Sequence, residues 1–246
     1  MYLIPFLSIF LGWVIQGFLG IGSGIIATAI LMFFFNAKSV VVSLSILAFV
    51  GTVFLAVKNY QGKLFLKTVI PISFFSFVGV FIGSHFLEEV NKNLLEIFFG
   101  VIIVLTGVYD LLLRNKVKFS KNKTKLLLIV TGISGGLISG LIGGAGPIYA
   151  FFLNQTLTSK KAYKFIISFI FTLLNLERVA LYLFSEKLKG YFLPEIIIPG
   201  FIGTILGVFL GDFLSKSVPS HTFKKLVSLT IIISGFYFIF TGFSSF

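Results

Sequence analysis

Long apolar runs alternate with short polar stretches along the chain, and this pattern predicts membrane-spanning helices. A helix needs about 20 apolar residues to cross a bilayer core of about 30 Å. Eight apolar segments approach or exceed that length, near residues 2–35, 39–57, 66–87, 94–113, 126–157, 165–185, 191–214 and 226–243. The most polar stretch, residues 114–125, divides the chain near its middle. We therefore expect an all-α, polytopic integral membrane protein.

The two sides of the polar stretch repeat each other. At a constant offset of 123 residues the matching pairs are Gly12 and Gly135, Gly17 and Gly140, and Gly20 and Gly143. After a five-residue insertion the offset becomes 128, and the pairs are Gly62 and Gly190, Pro71 and Pro199, Gly79 and Gly207, Gly83 and Gly211, and Gly107 and Gly235. The chain thus divides into an N-terminal membrane repeat (1–113), a basic connector (114–125) and a C-terminal membrane repeat (126–246).

The first segment of each repeat is too long for one ordinary span. Thirty-four helical residues in the segment 2–35 would extend about 51 Å, well beyond the bilayer core. Each segment also contains a cluster of glycines, which weakens a helix and frees backbone groups that lipid cannot satisfy. Two structures fit: a tilted helix broken at the glycines, or a re-entrant hairpin with the glycines at its tip.

The lysines favour the hairpins. Eight simple crossings would place 11 and 8 basic residues on the two sides, whereas two hairpins place 15 on one side and 4 on the other. The positive-inside rule prefers the second arrangement and makes the connector cytoplasmic. Each half then has one hairpin and three crossings, so the halves are inverted repeats and both termini face outward. We expect a multi-pass protein of the cell (inner) membrane.

Composition excludes several classes of function. Hydrophobic residues make up 57% of the chain and charged residues 11%, against about a quarter charged in soluble domains. The net charge of +12 lies almost entirely between the apolar runs, so we expect no nucleic-acid partner. There is no cysteine and there are only two histidines, His85 and His221, so we expect no metal and no cofactor. Residues 21–24 read Ile-Gly-Ser-Gly and lack the first glycine of the rhomboid-protease motif. We expect no enzymatic activity.

The glycine tips and the sixth segment are the candidate binding elements. Exposed N–H groups and positive helix ends at the tips would favour an anion, although tight helix packing through small residues is the alternative. In the sixth segment Asn175 is the repeat partner of Thr52, and Arg178 lies three residues further on the same helical face. Arg178 could attract an anion, or it could lie shallow and pair elsewhere. The candidate substrate-binding residues are Gln16, Gly20, Gly22, Ser23, Gly24, Thr52, Ser139, Gly143, Gly144, Gly146, Pro147, Asn175 and Arg178.

Three other ionisable side chains lie near the ends of apolar segments, where we expect interfacial solvation to account for them. They are His85, Asp110 and Asp212.

The two glycine phrases resemble the duplicated signature of the TauE/SafE sulfite exporter family. They read Gly-Phe-Leu-Gly-Ile-Gly-Ser-Gly over 17–24 and Ser-Gly-Leu-Ile-Gly-Gly-Ala-Gly-Pro over 139–147. Asn175 and Arg178 are similar to the family's Asn-x-x-basic pattern. The first phrase departs from the signature at Ser23 and lacks its proline, and the second has Ala145 in place of a glycine. The resemblance implies export or import of small sulfur-containing anions such as sulfite or organosulfonates.

Our hypothesis is a secondary transporter of a small anion that works by alternating access around a midplane site. A non-transporting membrane scaffold or regulatory subunit is the alternative. The expected partners are an anionic substrate and the lipid bilayer. The sequence leaves open the substrate's identity, the direction of transport, the coupling ion (proton, sodium or none) and whether the protein is a homo-oligomer.

Overall fold

The described residues of the computed structural model are helical and contain no strand. They are residues 2–31, 33–62, 69–86, 92–113, 121–142, 145–157, 159–186 and 188–244. The α-helices in this part of the chain are α1 (Leu3–Leu19), α2 (Ser23–Leu31), α3 (Ala37–Lys58), α4 (Ile70–Phe86), α5 (Lys92–Leu113), α6 (Lys121–Ile142), α7 (Gly146–Thr156), α8 (Lys160–Phe184), α9 (Pro194–Lys216) and α10 (Ser220–Ser244). A short 3-10 helix, Lys189–Tyr191, precedes α9.

Four of the described helices are long and apolar enough to cross a membrane. Their candidate spans are Ser39–Lys58, Lys160–Phe184, Pro194–Lys216 and Ser220–Phe243. Shorter apolar stretches occur at Leu3–Leu19, Ile70–Ile82, Gly100–Leu112 and Lys125–Ser139. Lengths and composition therefore agree with the expected polytopic membrane protein.

Both overlong apolar segments are helical hairpins. In the first, a Cβ added at Gly12 on α1 would lie 2.8 Å from the carbonyl oxygen of Ser23 on α2. In the second, a Cβ at Gly135 on α6 would lie 2.6 Å from the Tyr149 ring on α7. Along one continuous helix, Gly12 and Ser23 would be about 16 Å apart, and Gly135 and Tyr149 would be about 21 Å apart. The chain therefore turns back between α1 and α2 and again between α6 and α7, and a single tilted helix broken at the glycines does not fit.

Two compact units divide the chain, and each contains one hairpin. Unit 1 comprises residues 1–60 and 164–219, and unit 2 comprises residues 61–163 and 220–246. Each unit therefore takes helices from both sequence repeats. The boundary within α8 falls between Tyr163 and Lys164.

In unit 1, α1 packs along α9 through small residues. Gly203, Gly207 and Gly211 of α9 lie against the backbone of α1, so that any side chain there would meet main-chain atoms. Trp13 of α1 fills the space beside two glycines, with its ring against Gly51 of α3 and its Cβ against Gly207. Small residues allow this close approach of two helix backbones, as is common between membrane helices.

In unit 2, α4 packs on α6 and α5 packs on α10 in the same manner. Gly79 of α4 and Gly136 of α6 lie against each other's helix, and Gly100 of α5 lies against Gly235 of α10. The short helix α7 contacts α5, α6 and α10.

The packing of α1 on α9 recurs at repeat-related positions in the packing of α6 on α4. A Cβ at Gly207 would lie 2.7 Å from Phe10 O and 3.0 Å from Val14 N. Gly79 is the partner of Gly207 at offset 128. A Cβ added at Gly79 would meet the carbonyl oxygen of Ile133 and lie 2.8 Å from Leu137 N. Ile133 and Leu137 are the partners of Phe10 and Val14 at offset 123. The repeat seen in the sequence thus extends to individual contacts.

Candidate functional site

The tip of the first hairpin is a tight turn built on two glycines. Gly20 has φ +87° and Gly22 has φ +114°, in the left-handed region that glycine adopts without steric cost. Gly20 ends α1 by donating its N–H to the carbonyl oxygen of Gln16, at 2.6 Å. Helix α2 then begins at Ser23. The two glycines therefore reverse the chain within three residues.

Gln16 closes this tip with its side chain. Its Oε1 accepts from the Ser23 backbone N–H at 3.1 Å and also from the Ser23 hydroxyl. Both side chains are buried. Gln16 therefore caps α2, because it satisfies an N–H group that has no acceptor inside the helix.

The start of α2 also retains backbone donors next to open space. Helix geometry provides no intrahelical acceptor for the N–H groups of Gly24 and Ile25. Gly24 is exposed, and a Cβ there would meet nothing within 4 Å. This end of α2 can therefore approach an anion through its backbone.

The second tip has a different construction. Helix α7 begins at Gly146 after Ala145, with no side-chain cap, and Pro147 in its first turn has no N–H to donate. Ser139 occupies the position equivalent to Gln16 and is half-buried in α6. The candidate residues Gly143 and Gly144 lie outside the described residues. The first tip belongs to unit 1 and the second to unit 2.

Thr52 is fully buried in α3, and its hydroxyl lies 2.7 Å from the carbonyl oxygen of Ala48 in its own helix. The ring of Trp13 packs against the neighbouring Gly51. Trp13 lies one turn before Gln16 on α1. Asn175 on α8 is also buried, with 9% of its surface exposed. Thr52 and Asn175 both belong to unit 1.

Arg178 is half-buried one turn after Asn175 on α8. Its Nη2 lies 3.5 Å from the Tyr182 hydroxyl, and its guanidinium carbon lies 5.9 Å from the centre of the Tyr182 ring. Tyr182 therefore holds the guanidinium along α8 towards the helix's C-terminal end.

Asp212 lies in a buried basic cluster of unit 1, and the expectation of solvation at a segment end was wrong for it. Only 3% of Asp212 is exposed. Its carboxylate forms an ion pair with Lys164 and another with Lys58, whose Nζ is 3.2 Å from Oδ2. Lys164 also donates to the Ser215 hydroxyl at 2.9 Å, and Asn59 Nδ2 lies 3.5 Å from Asp212 Oδ1. Protein groups replace water around this carboxylate.

Asp110 in unit 2 requires the same correction, because it has no exposed surface. Its Oδ2 accepts from Asn154 and, at 2.6 Å, from the Ser228 hydroxyl. Its Oδ1 accepts from Gln155 Nε2 at 2.7 Å. The scarcity of acidic residues was the sequence signal that could have marked both aspartates, since an acid in an apolar run needs a partner.

Of the histidines, His221 is exposed, whereas the side chain of His85 lies outside the described residues.

Metal binding is not indicated by the part of the chain that the structure describes, where histidine, aspartate and glutamate side chains form no group of three or more that could hold an ion.

Comparison with known proteins identifies relatives over nearly the whole chain. The family profile described as sulfite exporter TauE/SafE matches residues 5–238. The probable membrane transporter protein YdhB of Bacillus subtilis (strain 168) is 22% identical over 244 residues, covering 95% of this chain and 98% of that protein. The comparison with solved structures gave no significant match.

Proposed function

Because this chain belongs to the sulfite exporter TauE/SafE family, we propose that it is a secondary transporter of a small sulfur-containing anion, sulfite or an organosulfonate. The match to this family and the similarity to YdhB, a probable membrane transporter protein, identify the chain as a multi-pass membrane protein of a transporter family. Substrate class and mechanism are our inference, in which access alternates around a site at the hairpin tips.

The observation that carries the proposal is the first hairpin tip. Its backbone leaves the helix at Gly20 and Gly22 inside an apolar run, and α2 starts beside open space at Gly24. Backbone donors and the positive end of a helix favour an anion there without a fixed cation. Broken helices at corresponding positions of two repeats are typical of transporter binding sites.

Three contacts support the hairpin topology in the membrane. With eight simple crossings Lys58 and Lys164 would lie on opposite sides, yet both contact Asp212 within unit 1. In unit 2, Asp110 and Asn154 would likewise be separated, yet they share a hydrogen bond. With two hairpins every one of these residues is cytoplasmic. The basic connector then also lies in the cytoplasm, and both termini lie outside, with the two halves inverted.

In this mechanism Asn175 and Thr52 contribute polar groups to the site, and Arg178 supplies positive potential to the path that the anion follows. A guanidinium presents several donors in a plane and suits sulfonate and sulfite oxygens. Tyr182 keeps it at a defined place along α8.

Flux measurements in proteoliposomes test the proposal. We expect purified protein to carry labelled sulfite or a labelled sulfonate, and Arg178→Ala to lower the rate about tenfold, since a charge-assisted hydrogen bond contributes about 1.5–3 kcal/mol. The matched control is Lys189→Ala, which removes a cation from an exposed position of the same unit. Imposed proton or sodium gradients identify the coupling ion.

The alternative of a non-transporting scaffold makes the opposite prediction. Protein that is folded in liposomes and carries none of the anions above background would contradict transport and favour that alternative. Equal rates for wild type and Arg178→Ala would leave transport in place and remove Arg178 from the path.

A further inference from the structure

Glu177 is an acid within the apolar span of α8, outside the residues of the proposed transport site. The span is Lys160–Phe184, and Glu177 lies seven residues, about 10 Å, before its end. We propose that Glu177 is the proton-binding site of the transporter. It takes up one proton when the anion binds and gives up that proton when the anion leaves, so that proton and anion move in the same direction. This inference rests on the proposed function and names its coupling ion.

The side chain of Glu177 continues the buried face of α8. Ile166, Ile170 and Leu174 are buried at spacings of four residues. Glu177 follows Leu174 by three residues and therefore lies on the same helical face. It is half-buried, and the next position on this face, Leu181, is 56% exposed. The carboxyl thus lies where the buried face opens, and a proton needs access but no cavity of its own.

The carboxyl of Glu177 has no partner among the residues that the structure describes, since none of them forms a hydrogen bond or an ion pair with it. The positions one turn away along the helix are all apolar and are Leu173, Leu174, Ala180 and Leu181. Glu177 therefore differs from the buried acids Asp110 and Asp212, whose carboxylates are enclosed by donors. An ionisable residue of this kind in a membrane helix is a candidate for function.

Arg178 is the nearest cation along the chain, but it does not pair with Glu177. Successive residues of a helix do not face each other. The guanidinium of Arg178 instead lies beside Tyr182, with its carbon 5.9 Å from the centre of that ring. Arg178 therefore contributes its electric field at Glu177 without forming an ion pair.

Among the described residues, the charged groups of the other helices of unit 1 also leave Glu177 unpaired. Helices α1 and α2 contain no charged residue. The charged residues of α3 and α9 are Lys38, Lys58, Glu195, Asp212 and Lys216. Lys58 and Asp212 belong to the cluster with Lys164, which lies about 20 Å from Glu177 along α8. The side chain of Lys38 lies outside the described residues.

Anion binding and proton binding favour each other at this position. A carboxylate without a partner in apolar surroundings is costly, and a proton removes its charge. An anion bound at Arg178 neutralises the guanidinium whose field favours the ionised carboxyl, and it brings a negative charge of its own. Glu177 then takes up H⁺ from water and becomes a neutral acid. By linkage, protonation of Glu177 strengthens anion binding by the same factor.

Calorimetry of the full-length purified protein tests this with methanesulfonate, because a sulfonate stays ionised and adds no titration of its own. We expect binding by wild type to strengthen at least about tenfold between about pH 8 and about pH 5 and to take up a proton, counted from buffers of different ionisation enthalpy. Glu177→Gln should bind with less than about twofold pH dependence and without proton uptake, because glutamine resembles the protonated acid. Sulfite is the second probe, and its own protonation cancels between wild type and variant.

Flux in proteoliposomes separates a coupling residue from a structural one. With one proton per anion, an inward gradient of about one pH unit should let wild type accumulate methanesulfonate about tenfold. Glu177→Gln should keep the exchange of labelled for unlabelled anion and lose this accumulation. A residue with a merely structural role would affect exchange and accumulation together.

Two variants serve as matched controls. Glu186→Gln removes an exposed acid of the same unit, and His221→Gln removes an exposed group that titrates near neutral pH. Both should keep proton uptake and gradient-driven accumulation. Transport by wild type that ignores the gradient, or the same pH dependence in wild type and Glu177→Gln, would overturn the inference and leave the proposed function in place. Protein that neither binds nor carries methanesulfonate or sulfite would contradict both.

Discussion

Replacing Asp212 by leucine will lower the free energy of unfolding by about 3–5 kcal/mol, because it leaves buried lysine charge without a counter-ion. Lys164 is only 2% exposed and pairs with this carboxylate, and Lys58 pairs with it from α3. SDS titration of the purified protein measures the change. The fluorescence of Trp13 provides the signal, since it is the sole tryptophan and is buried.

Two further variants separate the effect of the lost charge from the effect of changed packing. Glu186→Gln removes a negative charge from an exposed position of the same unit and should change stability by less than about 0.5 kcal/mol. Adding Lys164→Met to Asp212→Leu should recover a large part of the loss, since replacing a buried ion pair by apolar groups is often neutral. An Asp212→Leu variant as stable as wild type would show that the cluster does not hold α3, α8 and α9 together.

Replacing Gly211 by alanine will destabilise the protein by about 3 kcal/mol through overpacking. The added Cβ would fall on the carbonyl oxygen of Val14 and 2.7 Å from the backbone nitrogen of Phe18. Main-chain atoms of α1 cannot move aside as a flexible side chain would, so α1 and α9 must separate. The same titration measures the loss.

Gly190→Ala is the matched control for this substitution. A Cβ at Gly190 would meet nothing within 4 Å, and the residue lies in the exposed 3-10 helix before α9. We expect it to be neutral within about 0.5 kcal/mol. Equal losses at both glycines would show that the loss does not come from the contact with α1, and would contradict a close approach of α1 and α9.

The sequence predicted the helices well, because the length of an apolar run alone nearly determines whether it forms a membrane helix. The starts of α8 and α10 lie earlier than the apolar runs, since lysine is a good helix former and extends the helix into its polar flank. The lysine count favoured re-entrant hairpins. The structure has helices that turn back on each other in both segments, whereas the side of the membrane on which each hairpin opens stays a prediction. The pairing of α1 with α9 and of α4 with α6 could not be read from the sequence, because hydropathy does not say which apolar faces meet.

The candidate site was predicted less completely. The sequence placed Gln16 and Ser23 at one tip, and the structure joins them by hydrogen bonds. It also placed Asp110 and Asp212 at solvated rims, whereas both are buried among donors from helices distant in the chain. Such partners come together only through tertiary packing. The roles of Thr52, Asn175 and Arg178 in binding remain predictions.

The proposed transport mechanism requires each hairpin to enter and leave the membrane on one side, and single cysteines test this most directly. The chain has no native cysteine, and Asn36 and Lys161 are both exposed. We expect Asn36→Cys to react with an impermeant maleimide from outside the cell, and Lys161→Cys to react only after the membrane is opened. Both cysteines labelling from the same side would instead indicate simple crossings and contradict the account.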